Sequence, residues 1–270
     1  MEKHNTAFVM SHFGLGDSIT IIGAVRYLCT IYKKVNLICR EKYITNVKLF
    51  YTDLNNINII PMRRPNFIHA KYGASLDKFK KYTKNMDLYL GGNMVLHKKR
   101  EPYDNLPLNF YKDMNLNTEL FWSHYKIPTN HFGEELYNEL KDNTYIFIHK
   151  EILNKQLFNI KNVCKKFNIN PDETIIIDSS ENYYKKEHKF HDIAQKFIFK
   201  PLVYYIQTII HAKMVIVTDS CFFCLALNLE IKTKECYYVA RKRNFNYNHL
   251  FNNEYKPKEC NKPIFKKISF

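Results

Sequence analysis

Ala7-Phe8-Val9-Met10-Ser11-His12-Phe13-Gly14-Leu15-Gly16-Asp17-Ser18 takes a short apolar run into a glycine turn, and a helical pattern follows at once. Two glycines let a backbone turn sharply or come close to a ligand, since a Cβ would block φ > 0 or the approach itself. The first amides of the helix have no intrahelical partner, and the macrodipole adds partial positive charge beside them. Gly14, Gly16 and Ser18 therefore make a candidate loop for an anion or a polar acceptor. Asp17 or Ser18 can cap the helix through a side-chain oxygen. A carboxylate placed there is either a cap or a base. His12, beside the corner, is positioned by sequence to orient an acceptor, to share a proton with Asp17, or simply to bond the turn.

Beyond the corner, Ile19, Ile22, Val25, Arg26, Leu28 and Cys29 recur at helical spacing, and Val35–Cys39 is a compact strand. Asn58–Met62 and Asp87–Leu90 read as further strands, Phe79–Lys84 as a polar helix, and Lys98–Pro107 as a loop. Leu108–Met114 reads as a short helix. Phe121–Pro128 is predicted to be extended, because a proline disfavours helix before it. From Thr144 strand and helix alternate again: strands at Tyr145–Ile148, Thr174–Ile177 and Met214–Thr218, helices at Asn159–Phe167, Leu202–His211 and Ser220–Leu227. Apolar strands separated by helices call for parallel sheets covered on both faces. The expectation is an α/β chain of two Rossmann-like domains, residues 1–130 and 143–270, facing each other across a cleft, with the polar stretch Thr129–Asn143 as hinge.

With 270 residues, 46% of them apolar, the chain can bury a sizeable core. No stretch approaches the roughly 20 apolar residues of a membrane span, and Met1-Glu2-Lys3-His4-Asn5 lacks a signal pattern. Seven scattered cysteines fit reduced thiols better than a disulfide framework. These features predict a soluble cytoplasmic protein. Its net charge of +15 suits an acidic partner, and a nucleotide-linked substrate qualifies alongside nucleic acid and anionic membrane. The abundance of Lys, Asn, Ile and Tyr, all with A/T-rich codons, weakens charge as an argument for nucleic-acid binding. It also points to an A/T-rich source such as a large DNA virus, whose protein would work in host cytoplasm, or a parasitic microbe.

All seven glycines precede residue 134, so no Walker loop or Gly-x-Gly-x-x-Gly fingerprint exists in the second half. Phosphate bound there must use helix N-termini with Ser, Thr, Lys or His around them. Three strand ends offer such residues. Thr218-Asp219-Ser220 ends one strand at the carboxyl edge, where open α/β sheets bind ligands. Asp219 there can accept hydrogen bonds from ribose or sugar hydroxyls, or form a capping pair with Ser220. Asp178-Ser179 repeats the design, with a capped turn as the plainer reading. His149-Lys150 is the third, where Lys150 either neutralises a pyrophosphate or lies on the surface. Cys221-Phe222-Phe223-Cys224 lacks companion ligands and is read as small, buried, apolar residues, so no metal site is expected. The sequence also contains no Asp-x-Asp, Gly-x-Ser-x-Gly or His-Glu-x-x-His. That argues against a metal-dependent transferase, a serine hydrolase and a zincin.

Gly14-Leu15-Gly16-Asp17-Ser18 with its apolar helix resembles the N-terminal Gly-Asp signature of the heptosyltransferase-like glycosyltransferases of GT-B fold. Thr218-Asp219-Ser220-Cys221-Phe222-Phe223-Cys224-Leu225-Ala226 resembles their Thr-Asp-Ser-Gly-x-x-His-Leu-Ala segment. The resemblance implies inverting, metal-independent transfer from a nucleotide sugar to a glycan or other hydroxyl acceptor, with no further cofactor. It makes the N-terminal domain the acceptor side, with the aspartate at position 17 as general base. The C-terminal domain becomes the donor side, with Asp219 helping to hold the nucleotide sugar. Cys221 and Cys224 depart from the family's glycine and histidine. Two other classes stay open: a non-catalytic binding protein of the same fold, and an S-adenosylmethionine- or nucleotide-dependent enzyme using Gly14-Leu15-Gly16 as its cofactor loop. For the latter, an acidic residue should end the second strand, where Ile38-Cys39-Arg40-Glu41 offers only Glu41.

Overall fold

The apolar run at the N-terminus forms strand β1, His4–Met10, and pairs in parallel with β2, Tyr32–Arg40, on one side and β4, Asp87–Leu90, on the other. This is a computed structural model, which describes residues 4–11, 14–63, 86–91, 106–152, 155–156, 158–239 and 263–269. His12, the expected helix Phe79–Lys84 and most of the expected loop Lys98–Pro107 lie outside them. The described residues form two units, one up to Pro128 and one from Thr129.

In the first unit the strand order is β3-β2-β1-β4, with β3 spanning Ile57–Met62, and every pairing is parallel. Alternate residues of β1 serve the two faces of the sheet. Ala7 and Val9 are wholly buried, while Phe8 and Met10 join Ile38 and Leu90 in a cluster near the carboxyl ends. Pro61 has no amide to donate and sits in β3, the edge strand.

The helical pattern after Gly14 is broken. Helix α1 covers Leu15–Thr20 and α2 covers Ile22–Ile31. The spacing alone predicts one helix, but the Tyr111 hydroxyl enters the ladder, donating to the Thr20 carbonyl at 2.9 Å and accepting the Ala24 amide at 3.3 Å. Helix α2 itself is firmly held. Ile22, Val25 and Leu28 are fully buried, each contributing about 1.5–3 kcal/mol. Arg26 on the same helix bonds the Phe50 carbonyl at 2.9 Å and pairs with Asp53 at 2.8 Å.

Helix α3 is Ile44–Leu49, and Tyr111 lies on α4, Leu106–Asp113. The expected extension from Phe121 is instead a helical turn, α5, Leu120–Ser123, followed by irregular chain. Burial overrides the influence of Pro128 here: Phe121 packs edge-on against Tyr111 and Trp122 and drives the turn inward.

The stretch expected as a hinge also differs. His131–Asn138 is helix α6, N-capped by the Asn130 side chain, and Gly133 lies close against the backbone of Val203 and Tyr204. It packs as part of the second unit. That unit's sheet has the order β8-β5-β9-β10-β11, again all parallel, from β5 Tyr145–His149, β8 Ile175–Asp178, β9 Met214–Thr218, β10 Cys236–Val239 and β11 Lys266–Ile268. Strands β5 and β8 are buried along their whole length, as a sheet covered on both faces requires. A two-rung hairpin, β6 Glu151–Ile152 and β7 Lys155–Gln156, follows β5. The helices of the unit are α7 Ile160–Phe167, α8 His191–Gln195, α9 Ile206–His211 after a 3-10 turn at Leu202–Tyr205, and α10 Cys221–Ala226. Among the described residues no helix is long and apolar enough to cross a membrane.

Candidate functional site

Strand order locates the candidate positions. In an open parallel sheet the loops of two strands diverge where the order reverses, leaving a crevice at their carboxyl ends. In the first unit that point lies between β1 and β4; in the second it lies between β5 and β9. The first opens directly onto the Gly14 corner, the second onto His149-Lys150 and Thr218-Asp219-Ser220.

At the first point Gly14 is the N-cap of α1, with φ −81° and ψ 154°, an extended conformation open to any residue. Its lack of a side chain serves close approach: a Cβ would lie 2.6 Å from Asp17 Oδ2. The Gly14 amide donates to that oxygen at 2.9 Å. Asp17 thus caps the helix from its third residue, reaching back, rather than from the N-cap position. Ser18 is buried and its hydroxyl donates to the Gly14 carbonyl at 3.2 Å, turned onto its own helix. Gly16 lies within α1, and the Thr20 hydroxyl donates to its carbonyl at 2.9 Å.

The second point is built from buried polar side chains. His149 Nδ1 stands 2.7 Å from Ser179 Oγ, and its ring packs 4.3 Å from that of Phe222. Burial pushes the imidazole down to about 4, against an opposing bond to the Glu151 backbone, so it is neutral near neutral pH. Lys150, only 3% exposed, is no surface lysine. Its ammonium lies 3.4 Å from Asp178 Oδ2 and also pairs with Glu181. Asp178 Oδ1 accepts the Ser180 amide at 2.9 Å and the Ser180 hydroxyl at 2.8 Å, which is the capped-turn arrangement. Burial raises the Asp178 carboxyl, while Ser180 and Lys150 pull it the other way.

Thr218 is fully buried and bonds the Glu151 carbonyl at 3.4 Å, and Asp219 beside it is 8% exposed. Ser220 is the N-cap of α10 by backbone position but makes no capping bond, and among the described residues its buried hydroxyl oxygen has no hydrogen-bond partner. Register brings these ends side by side, with Ile148 opposite Asp178 and His149 opposite Val217.

Cys221 and Cys224 are half-buried rather than fully enclosed. Burial pushes the Cys221 thiol up to about 11, which keeps it protonated and a weak nucleophile. Among the described residues no group of three or more His, Cys, Asp or Glu side chains is placed to hold a metal.

Sequence reasoning located the three strand ends of the second unit but missed Glu181 as a partner of Lys150, and it missed Tyr111 entirely. Glu181 was legible only as the next charge after Asp178-Ser179-Ser180. Nothing local marks the Tyr111 hydroxyl, whose hydrogen-bond partners lie 87 and 91 residues away.

No protein-family model matches the sequence, and no curated protein sequence matches it. The structure is similar to that of the glycosyl transferase family 9 protein from Veillonella parvula DSM 2008, with a TM-score of 0.55 at 10% identity over 100% of this chain and 89% of that one. A weaker similarity, TM-score 0.41 at 11% identity over 90% of this chain and 92% of the other, is to E. coli heptosyltransferase WaaC with ADP. The chain thus has the α/β, two-domain fold of a glycosyl transferase family 9 protein, as the resemblance in its two motifs leads one to expect.

Proposed function

We propose that the chain is a metal-independent, inverting glycosyltransferase that moves a sugar from a nucleotide-sugar donor to a hydroxyl of a glycan or similar acceptor. The observation that carries this reading is the placement of both motifs at the carboxyl ends of their sheets, at the point where strand order reverses. The carboxyl ends at such a reversal are where open parallel sheets take ligands. The shared fold adds the scaffold on which glycosyl transfer is run elsewhere.

In this reading Asp17 accepts the proton of the attacking hydroxyl, a step worth roughly 10²- to 10⁴-fold. Its Oδ2 is steadied by the Gly14 amide, which fixes the direction of the carboxylate. His12, five positions earlier in the sequence and outside the described residues, is assigned the orienting role. In the second unit Asp219 holds donor hydroxyls. The Ser220 hydroxyl, without a hydrogen-bond partner among the described residues, receives the diphosphate, whose charge grows as the glycosidic bond breaks, and the fully buried Thr218 backs it. His149, Ser179 and the Lys150–Asp178–Glu181 cluster, at the ends of the neighbouring strands β5 and β8, complete the donor side. The seven scattered cysteines, a pattern that fits reduced thiols rather than a disulfide framework, support a cytoplasmic setting.

The test uses a panel of UDP-, GDP-, ADP- and dTDP-sugars with mixed oligosaccharide acceptors, reading nucleotide release, the product's anomeric configuration and calorimetric binding. Asp17→Asn should abolish turnover with donor binding nearly intact, while Asp219→Ala should weaken donor binding. Full turnover in Asp17→Asn would remove Asp17 from the mechanism. A second reading, a binding protein that kept the fold, is favoured by one observation: two carboxylates already match the Lys150 charge. Saturable binding without turnover would select it.

A further inference from the structure

The rung that an uninterrupted helix would close between the Thr20 carbonyl and the Ala24 amide is open, and one side chain fills it. The Tyr111 hydroxyl donates to the first and accepts from the second, so a single group satisfies two backbone atoms that burial would otherwise orphan. No solvent reaches the position: Tyr111 is fully buried, as is Ala24. Gly23 makes the approach possible, since a Cβ there would lie 2.0 Å from the Leu120 carbonyl oxygen and 3.0 Å from the Tyr111 hydroxyl. A group inserted on one side of a helix opens that side and turns the axis.

On the C-terminal side of the break, α2 is anchored by its buried apolar face and by Arg26. On the other side lies the six-residue α1, with Asp17 three positions before Thr20. With α2 held, the direction of α1 depends on the wedge.

We infer that Tyr111 is a positioning residue for Asp17: its hydroxyl, set into the open Thr20–Ala24 rung, fixes the direction in which α1 presents the carboxylate at the carboxyl end of β1. This rests on the reading of Asp17 as the base. The ring of Tyr111 packs against Phe121 and belongs to the core; the hydroxyl serves the geometry of the corner.

Tyr111→Phe in the full chain removes the hydroxyl and keeps the ring. The rung then closes directly and α1 swings. Three readouts apply: backbone amide NMR shifts of Leu15–Thr20, turnover of the donor the wild type accepts, and that donor's calorimetric affinity. The expected result is displaced shifts throughout α1 and kcat lowered roughly 10- to 100-fold, because a misplacement of about 1 Å carries a penalty of that order. Donor affinity should stay within about twofold, since the interaction lost is one made in the transition state. Unchanged kcat overturns the inference even if the shifts move, and so does a parallel loss of donor affinity, which would mean general loosening. Tyr111→Met is read by the same criteria should the phenylalanine variant fold poorly. A wild type that transfers no sugar removes Asp17 as base and this inference with it, whereas an active wild type with an unaffected Tyr111→Phe removes Tyr111 alone.

Discussion

The two reversal points hold polar groups at a strand end by opposite means. In the first unit the backbone does it: Gly14 admits the Asp17 carboxylate, and Gly23 admits Tyr111 and the Leu120 carbonyl. In the second, which has no glycine after Gly133, side chains do it by pairing with one another, the exposed Glu181 from the rim and the others from the interior. His149 leans on Ser179, and Lys150 is matched by Asp178 and Glu181. A corner built from close backbone approach is sensitive to added atoms. A corner built from buried ionisable groups tolerates shape change better but depends on every partner and on protonation.

The sharpest way to break that contrast is Lys150→Met. It leaves Asp178, 2% exposed, without its cation, and removing one partner of a buried pair costs about 3–5 kcal/mol. Burial already raises the Asp178 carboxyl, so the orphaned group should protonate more readily still. A folded pKa above the unfolded one makes the folded state bind the extra proton, so its stability relative to wild type should recover as pH falls towards the ordinary carboxylate range. Urea unfolding at a series of pH values measures this. A loss below about 1 kcal/mol would show the pair to be no more than a surface ion pair in effect.

Much of this architecture was open to reading because parallel strands buried on both faces announce themselves as unbroken apolar runs. Ile175-Ile176-Ile177 and Val215-Ile216-Val217 are such runs, and the residues that end them fall at the carboxyl edge by geometry alone. Strand β11 escaped notice for the converse reason: Lys266-Lys267-Ile268 lies at the sheet edge with its lysines exposed, and carries no apolar signature. Tertiary contacts account for the rest. The break at Ile21 is caused by Tyr111, the turn at Leu120–Ser123 by burial of Phe121 and Trp122, and the inward turn of Lys150 by carboxylates 28 and 31 positions on. Local pattern shows where a polar residue leaves a strand; it does not show whether its charge faces outward or is consumed inside.

A second prediction sharpens the pH side of the comparison. The His149 imidazole is depressed to about 4 in the folded chain against an ordinary 6.5, so between those values the unfolded state binds the extra proton. Its contribution is full above 6.5 and is lost as pH falls to about 4, a change of about 3 kcal/mol taken alone. Asp178 works in the opposite direction near the bottom of the window, so the net loss should be smaller than that. His149→Asn, which keeps an acceptor for Ser179, should start less stable and lose little more across this window. An acid limb as steep as wild type would assign the titration elsewhere. Asp53, lowered by its bond to Arg26, acts in a separate window below its ordinary 3.8.

The smallest effect on stability should come from Gly14→Ala, and it bears on function most directly. The backbone at Gly14 already has extended angles that alanine adopts without strain, so no conformational penalty arises. What the new methyl meets, at 2.6 Å, is the far end of the Asp17 side chain, which can rotate away. The loss is then one capping bond, about 1 kcal/mol, a small shift in a thermal melt. The carboxylate, however, no longer takes its direction from the Gly14 amide. If Asp17 is the base, turnover should fall roughly 100-fold with donor affinity unchanged, and a melt shift without loss of turnover would leave Asp17 as a helix cap. The equivalent single-atom intrusion has no counterpart in the second unit, where Ser220 already carries a side chain at the helix start and the hydroxyl itself is what awaits a partner.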